Sequence, residues 1–318
     1  MVVQQFLGVT AGVDVVDFGE MTGNVACGCR AVTVVGVQVS VIEPARKERR
    51  SKLENERILY RSCPLCDSAD IRPVATVNCS GHAMWREPLE PFMSWVCCGQ
   101  CEHVFTEGYF TDQALDVLFE NTQHHQVVGA EIELQRHISA KLVERVIDTL
   151  GPPNDRLWLD VGFGNGSLLM TASEFGFDVF GVDLRKKNVE DIRDLGILAY
   201  HGTLQSAMEN DVFKSKPTVI SMADVVEHEP FPRDILRCAR RLINDPGTLL
   251  ISMPNAGAPL WAFLNATNQN PYWYEIEHYH NFTREKIYAE LRTSGFRPFH
   301  YSVSERYRCC MEILAEPA

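Results

Sequence analysis

Apolar residues in the second half of the chain alternate between strand-like runs and helix-like spacing. Short, nearly continuous apolar runs predict four strands, at residues 156–161, 178–183, 217–222 and 248–253. Apolar residues at intervals of three and four predict helices between them, at residues 166–174, 187–195 and 232–244. Because strands buried on both faces are apolar along their length, the pattern predicts an α/β fold with a mostly parallel, helix-covered sheet.

Further elements flank this alternating region. Residues 131–150 keep helical spacing, and the helix should end at the Gly-Pro-Pro sequence of residues 151–153. Near the end of the sequence, residues 297–304 and 308–316 predict two strands joined by a short turn. Strands joined by a short turn pair antiparallel, so we expect an antiparallel hairpin at one edge of the sheet.

The first 58 residues are the least regular part of the chain. Val-rich stretches with alternating spacing suggest strands, but glycines interrupt them, and the charged run RKERR follows at residues 46–50. A small β-rich extension and a poorly ordered leader both fit this composition, and we favour the leader. The predicted domains are an extension at residues 1–58, a cysteine-rich domain at 59–110, a helical linker at 111–150 and an α/β domain at 151–318.

Composition narrows the class of protein. With 318 residues, 45% of them hydrophobic and 23% charged, the chain can form an α/β domain and a smaller one. The net charge of −12 disfavours a nucleic-acid surface, which needs clustered Lys and Arg. No apolar run approaches the roughly 20 residues of a membrane span, and no basic signal segment opens the sequence. We therefore expect a cytoplasmic protein.

A glycine-rich loop follows the first strand of the α/β region. Its sequence is DVGFGNG, with Asp160 followed by glycines at 162, 164 and 166. Glycines at a strand-to-helix turn let a ligand lie against bare main chain, and Asp183 at the next strand end can accept ribose hydroxyls. The G-x-G-x-G spacing differs from the G-x-G-x-x-G of dinucleotide sites. Asp160 can in addition hold the amino group of a methionine moiety.

Over residues 130–318 the chain resembles the class I, Rossmann-like S-adenosylmethionine-dependent methyltransferases. Besides the glycine loop and Asp183, the resemblance rests on HGTL at 201–204, SMADVVEH at 221–228, DPGT at 245–248 and SMPN at 252–255. It implies S-adenosylmethionine as cofactor. The cofactor-binding residues it implies are Asp160, Gly162, Phe163, Gly164, Gly166, Asp183, Leu184, Thr203, Leu204, Ala223 and Asp224.

Two C-x-x-C motifs precede this region. Cys63 with Cys66, and Cys98 with Cys101, each place two thiolates close enough to bind one metal ion. Together they predict a closed Cys₄ site for Zn²⁺, with a structural role because no coordination position stays open. In a reducing compartment such pairs indicate metal before disulfides. Four free or buried thiols are the alternative.

Neighbouring residues leave the ligand set open. Cys97 could replace Cys98, and Cys79 with His82 forms a further C-x-x-H pair, but Cys98 repeats the spacing of the first motif. The order of two cysteine motifs, linking helix and α/β domain resembles the zinc-ribbon methyltransferases of bacterial sugar, polysaccharide and natural-product pathways. The resemblance implies a small-molecule acceptor, with a sugar, polysaccharide precursor or glycosylated metabolite as the first hypothesis.

Methyl transfer from a sulfonium is a direct displacement, so the protein must align the reactants and remove a proton. Candidate bases follow the fourth strand, at His228, and the fifth, at Glu277, His278 and His280. Glu277 and His278 match the Glu-His pair of the sugar C-methyltransferases, but two neighbouring positions depart from that motif. O-methylation is therefore equally open, and for His228 a hydrogen bond within the fold is an equal alternative to catalysis.

Two other classes of function compete with a methyltransferase. A zinc-ribbon scaffold or nucleic-acid adaptor would carry a degenerate α/β domain, and an oxidoreductase would bind NAD. The intact Asp160, glycine loop and Asp183 argue against degeneracy, and the glycine spacing argues against NAD. The expected partners are a small-molecule acceptor and no nucleic acid or membrane span, with a homodimer as a further option.

Overall fold

The computed structural model of the protein describes residues 56–120, 126–306 and 309–318. The first range holds five strands and a helix: β1 (Arg57–Leu59), β2 (Ile71–Asn78), β3 (Phe92–Cys98), β4 (Val104–Thr106), β5 (Gly108–Phe110) and α1 (Asp112–Phe119). All but the last three residues of the expected extension at 1–58 lie outside the described residues.

The remaining elements alternate strand and helix. In chain order they are α2 (Ile132–Leu150), β6 (Leu157–Val161), α3 (Ser167–Glu174), β7 (Asp178–Asp183), α4 (Lys186–Asp194), β8 (Leu198–His201), α5 (Leu204–Glu209), β9 (Val219–Ala223), α6 (Pro232–Leu242), β10 (Thr248–Pro254), α7 (Pro259–Ala266), β11 (His280–Asn281), α8 (Arg284–Thr293), β12 (Phe296–Val303) and β13 (Cys310–Pro317). Two 3₁₀ turns, Val226–His228 and Pro271–Trp273, follow β9 and α7.

Seven strands form the central sheet, in the spatial order β8, β7, β6, β9, β10, β13, β12. Neighbouring strands from β8 to β10 are parallel, and β13 runs antiparallel to both β10 and β12. The predicted α/β class with a mostly parallel sheet is confirmed. The predicted hairpin forms as well, but β13 lies inside the sheet and only β12 is at the edge. The first six residues of β13 are all buried, as an interior strand requires.

Alternate residues of the central strands face opposite layers of helices. Trp158, Val219 and Leu250 pack with apolar residues of α2 and α3 in one cluster. Leu159 and Ile251 face the other way and pack with residues of α6 and α8. Both faces of these strands are therefore covered, which explains why their sequences are apolar without alternation.

The cysteine-rich region forms a four-stranded sheet in the order β11, β4, β3, β2. Its outermost strand β11 comes from the far end of the chain, and it pairs antiparallel with β4, with His280 opposite Phe105. Phe105 is buried in the same core cluster as the strands of the central sheet. The cysteine-rich region is therefore continuous with the α/β region in both hydrogen bonding and packing. None of the described helices has the length and hydropathy needed to cross a membrane.

Candidate functional site

Three glycines in left-handed backbone conformations shape the loop between β6 and α3. The φ angles are +69° at Gly162, +54° at Gly164 and +77° at Gly166. A Cβ atom at Gly162 would lie 2.7 Å from Cγ2 of Val225, too close for two carbon atoms. Both the φ angle and the near approach of the neighbouring loop therefore require glycine, and the loop presents main chain to a ligand.

Asp183 lies at the carboxyl end of β7, beside this loop. Its carboxylate accepts hydrogen bonds from the backbone N–H of Gly164, at 3.1 Å, and from that of Arg185, at 2.7 Å. The Arg185 guanidinium is a further 3.6 Å contact. Because each carboxylate oxygen has more than one lone pair, the group held in this orientation can still accept the two hydroxyls of a ribose.

Asp160 ends β6 on the adjoining strand and is almost fully buried. Its Oδ1 accepts a 2.6 Å hydrogen bond from Oγ of Ser221, which in turn accepts one from Nε1 of Trp158. Burial raises the pKa of the Asp160 carboxyl to about 7, although Ser221 and Arg306 oppose the shift. A cationic group of a ligand next to Asp160 would therefore favour the ionised form of this carboxyl group.

A cavity joins Asp160 to the glycine loop. Its lining includes Asp160, Gly162, Phe163, Asn165, Ala223 and Arg306. Gln135 and Ser139 of α2 close one side of it. The structure thus brings together the predicted residues of strands β6 and β9 around one concave space.

The other predicted cofactor residues have distinct environments. Leu184 is 46% exposed next to Asp183, and Asp224 follows β9 with a φ of +57° and a side chain 3.5 Å from Arg306. Thr203 accepts a hydrogen bond from the N–H of Ser206 and so caps α5. Leu204 is buried in the core. Phe163 packs against Gly181, where a Cβ atom would be 2.7 Å from its ring.

Histidine and carboxylate side chains converge where the turn after β9 meets the loop before β11. Nδ1 of His228 lies 3.0 Å from the carbonyl oxygen of Glu277. The His228 and His278 rings meet edge to face with centroids 4.5 Å apart. Three of the four predicted catalytic residues are therefore in one cluster.

Burial controls the charge of this cluster. It lowers the pKa of His228 to about 4 and that of His278 well below its ordinary value, so both imidazoles are neutral at pH 7. It raises the pKa of Glu277 to about 7, and that of Glu227 well above the ordinary range. The cluster is therefore a low-dielectric site with a carboxyl group poised to exchange a proton near neutral pH.

His280, the fourth predicted catalytic residue, lies apart from this cluster. Its Nε2 donates to the carbonyl oxygen of Glu229 at 3.0 Å, and its Nδ1 is 3.0 Å from Nε2 of His103. Both ring nitrogens are thus engaged between the cysteine-rich sheet and the turn after β9. These contacts give His280 a structural position.

Sequence reasoning missed three members of the site: Glu227, His82 and Glu275. Glu227 stands in the DVVEH stretch beside His228, which was the available signal. His82 is 2.8 Å from Oε2 of Glu275 and 3.6 Å from Oε2 of Glu277. In the sequence His82 forms a C-x-x-H pair with Cys79, which suggests only a metal ligand. No sequence pattern links His82 to residues almost 200 positions away.

The four cysteines chosen from their spacing come together in space. Sγ of Cys63 is 3.6 Å from Sγ of Cys101, and Sγ of Cys66 is 3.5 Å from Sγ of Cys98. All four sulfur atoms lie within 4.8 Å of one another. Zn–S bonds of about 2.3 Å in a tetrahedron put sulfur atoms about 3.8 Å apart, whereas a disulfide needs about 2.05 Å. The donor set therefore fits a tetrahedral zinc ion.

Comparison with known proteins identifies a family. A family profile described as a methyltransferase domain matches residues 134–301, more than half of the chain. The ubiquinone biosynthesis O-methyltransferase of Proteus mirabilis (strain HI4320) is 29% identical over 112 residues, 33% of this chain and 45% of that protein. The enzyme of the same name from Bordetella avium (strain 197N) is 24% identical over 133 residues, 41% and 50% of the two chains. The chain spans about half the length of these curated relatives.

Solved structures give matches of lower sequence identity. The 1,6-didemethyltoxoflavin-N1-methyltransferase of Burkholderia thailandensis, with bound 1,6-didemethyltoxoflavin and S-adenosylhomocysteine, is 15% identical with a TM-score of 0.49, covering 69% of this chain and 97% of that one. The magnesium protoporphyrin IX methyltransferase of Synechocystis PCC 6803 is 17% identical with a TM-score of 0.46, covering 58% and 84%. The profile match shows that this chain belongs to the methyltransferase-domain family, and the mostly parallel order of its central strands agrees with the Rossmann-like sheet expected from the sequence.

Proposed function

We propose that the protein methylates an oxygen atom of a small hydroxylated acceptor, with a sugar, polysaccharide precursor or glycosylated metabolite as the first candidate. The observation that carries the proposal is the buried carboxyl group of Glu277, whose pKa is about 7, on the loop whose backbone carbonyl holds the neutral imidazole of His228. The curated relatives are named as O-methyltransferases, which favours an oxygen nucleophile.

The side of the sheet at which the parallel strands have their carboxyl ends would hold S-adenosylmethionine, which when bound supplies an electrophilic methyl group. In this arrangement Asp183 accepts the ribose hydroxyls, and the loop from Gly162 to Gly166 lies against the ligand. Asp160 pairs with the amino group of the methionine moiety. The exposed side chain of Leu184 is available to cover the adenine, and residues 203–204 and 223–224 border the same edge.

Glu277 would accept the proton of the acceptor hydroxyl. Its Oε2 has no hydrogen-bond partner within the part of the chain that the structure describes, so it is available to an acceptor. His228 and His278 would orient that hydroxyl as neutral hydrogen-bonding groups. His82, 3.6 Å from Oε2 of Glu277, would stabilise the carboxylate. His280 would position the β11 strand rather than touch the acceptor.

Cys63, Cys66, Cys98 and Cys101 would hold a structural zinc ion. A closed thiolate set leaves no position for substrate. The ion would cross-link the turn before β2 to the turn after β3, which lie at the same end of the β2–β3 hairpin, in the sheet that β11 completes. Because β11 directly follows Glu277 and His278, this zinc would stabilise the loop that carries them.

Cofactor binding tests the proposal first. Isothermal titration with S-adenosylhomocysteine should show one site per chain, and Asp183→Ala should weaken binding by roughly 10- to 100-fold because two charge-assisted hydrogen bonds are lost. Asp178→Ala, at the opposite end of the same strand, should bind like the wild type. An absence of binding to the wild-type protein would contradict the proposal.

The acceptor class needs a separate experiment. Transfer of a radiolabelled methyl group should be measured against nucleotide sugars, free glycosides and simple catechols in parallel. Label in a sugar product that survives alkaline hydrolysis but is released by hot hydriodic acid as methyl iodide would support an O-methyl ether, and label that survives both would contradict it. If only catechols are methylated, the acceptor is an aromatic compound and the proposed sugar is wrong.

A further inference from the structure

Glu227 carries a buried carboxyl group that no described residue hydrogen-bonds. Only 1% of the residue is exposed, and within the described residues neither carboxylate oxygen has a partner. Leaving such a group without compensation is costly, and in native proteins an unsatisfied buried polar group commonly marks an ion or ligand. The position of Glu227 beside the candidate site points to a bound ligand of opposite charge.

Two histidines face the same space. One ligand atom from each of Glu227, His228 and His278 lies within 4.8 Å of the other two. The Nδ1–H of His228 donates to the carbonyl oxygen of Glu277, which leaves the Nε2 lone pair of that ring available. Histidine ligands of metal ions are commonly oriented by this kind of backbone hydrogen bond. Nδ1 of His278 is likewise buried and has no partner among the described residues.

The charges around these three residues are unbalanced. Asp224 and Glu277 add carboxyl groups to that of Glu227, and each raises its pKa. The nearby basic groups already have carboxylate contacts: Arg306 is 3.5 Å from Asp224, His82 is 3.6 Å from Glu277, and Arg185 is 3.6 Å from Asp183. An excess of carboxyl groups around two imidazole rings favours the binding of a cation.

We propose that Glu227, His228 and His278 form a binding site for a divalent transition-metal ion, distinct from the four-cysteine cluster. Two imidazoles and a carboxylate suit Mn²⁺, Fe²⁺ or Zn²⁺, whereas four thiolates select Zn²⁺. Three protein ligands leave further coordination positions open, as in catalytic metal sites.

The segment that carries Glu227 borders the cofactor loop. Val225, two residues before Glu227, approaches Gly162 so closely that no side chain fits at residue 162. With the metal bound, an acceptor hydroxyl would be held through an open position of the ion instead of by direct hydrogen bonds to His228 and His278, and its proton would still pass to Glu277. This role rests on the proposed O-methyltransferase activity, whereas the metal site itself does not.

Binding of Mn²⁺ to the cofactor-free protein tests the site directly. The protein is first treated with a chelator mild enough to leave the cysteine-bound zinc in place. Mn²⁺ is then titrated while the electron paramagnetic resonance of the free ion is followed. Mn²⁺ has little affinity for thiolates, so the cysteine cluster does not contribute. We expect one site per chain.

Variants assign that site to its ligands. Glu227→Gln and His278→Asn should each weaken Mn²⁺ binding by roughly 10- to 100-fold or more. Glu229→Gln changes a buried carboxyl group in the same segment outside the cluster, and it should bind Mn²⁺ like the wild type. Circular dichroism and zinc content show whether each variant is folded. If one of them is not folded, His228→Gln is measured in its place.

Two results would overturn the metal site: no Mn²⁺ binding by the wild-type protein, or binding that all three ligand variants retain. Binding of S-adenosylhomocysteine is measured separately on the same samples. A protein that binds Mn²⁺ but no S-adenosylhomocysteine would contradict the proposed function and keep the metal site. The converse result would keep the function and remove the metal site.

Discussion

The Nδ1–H of His228 donates a 3.0 Å hydrogen bond to the backbone carbonyl oxygen of Glu277. This bond joins the turn after β9 to the loop before β11, two segments almost 50 residues apart in the chain. The backbone N–H of Tyr279 donates to the carbonyl oxygen of Glu227 at 2.9 Å and joins them a second time. The two segments that carry the candidate catalytic residues are therefore joined by one side-chain-to-main-chain and one main-chain hydrogen bond.

Replacing Glu277 with Gln should lower the rate of methyl transfer by roughly 10²- to 10⁴-fold, because the proton acceptor is lost. Affinity for S-adenosylhomocysteine should stay unchanged, since Glu277 lies in the acceptor part of the site. Steady-state kinetics and isothermal titration measure the two quantities. Glu285→Gln, which alters an exposed carboxylate at the start of α8, serves as control and should keep the wild-type rate.

The wild-type rate should increase as the pH rises through about 7. The pKa of Glu277 is about 7, and the group accepts a proton only in its ionised form, which is the form present above that pH. A pH profile of kcat/KM for wild type and Glu277→Gln tests this. The same rise in both proteins would assign the titration to another group.

Cofactor binding should release protons near pH 7. The pKa of Asp160 is about 7 in the free protein, so the carboxyl is partly protonated there, and a cationic amino group would favour its ionised form. Affinity for S-adenosylhomocysteine should consequently fall as the pH drops below 7. Titrations in buffers of different ionisation enthalpy measure the protons released. Asp160→Asn should bind more weakly and release none.

Loss of a cysteine ligand should remove zinc and destabilise the protein. Cys66→Ser should abolish the roughly one tightly held zinc per chain expected for a closed site and lower Tm by about 5 °C or more. Cys238→Ser changes a buried cysteine of α6 that is not one of the four clustered cysteines, and this variant should keep its zinc. Metal analysis and calorimetry provide the readouts. If the wild-type protein contains no zinc and a chelator does not change its Tm, the four cysteines do not hold a structural zinc ion.

Gly162→Ala should destabilise the protein by about 1–2 kcal/mol, because a left-handed φ is unfavourable for any residue with a Cβ atom. The new methyl group would in addition displace Val225, 2.7 Å away, and weaken S-adenosylhomocysteine binding. Urea denaturation and isothermal titration report the two effects. At Gly81 a Cβ atom would meet nothing within 4 Å, so Gly81→Ala should change neither.

Local sequence patterns were enough for most of the central sheet. The four predicted strands and the three helices between them occur within two residues of their expected bounds. Their burial on both faces makes them apolar throughout, which a single sequence reveals. The strand at residues 198–201 was missed because it is short and lies at the sheet edge, where Leu198 and His201 are exposed.

The sequence by itself determined the glycine loop, the acidic residues at the ends of β6 and β7, and the spacing of the cysteine pairs. Each of these depends on residues close together in the chain, where φ angles, strand ends and short turns are set locally. The choice of these four cysteines depended on the shared spacing of the two C-x-x-C turns, each of which places two thiolates side by side.

Only the tertiary structure decided which residues share the candidate site. Pairing of β11 with β4 brings His280 to His103 and removes it from the cluster, while it places His278 against His228. These contacts join segments far apart in the chain, and their formation depends on strand pairing and burial that leave no periodic signal. Burial then decided the charge of these groups, because desolvation depends on packing by the whole molecule rather than on neighbours in the sequence.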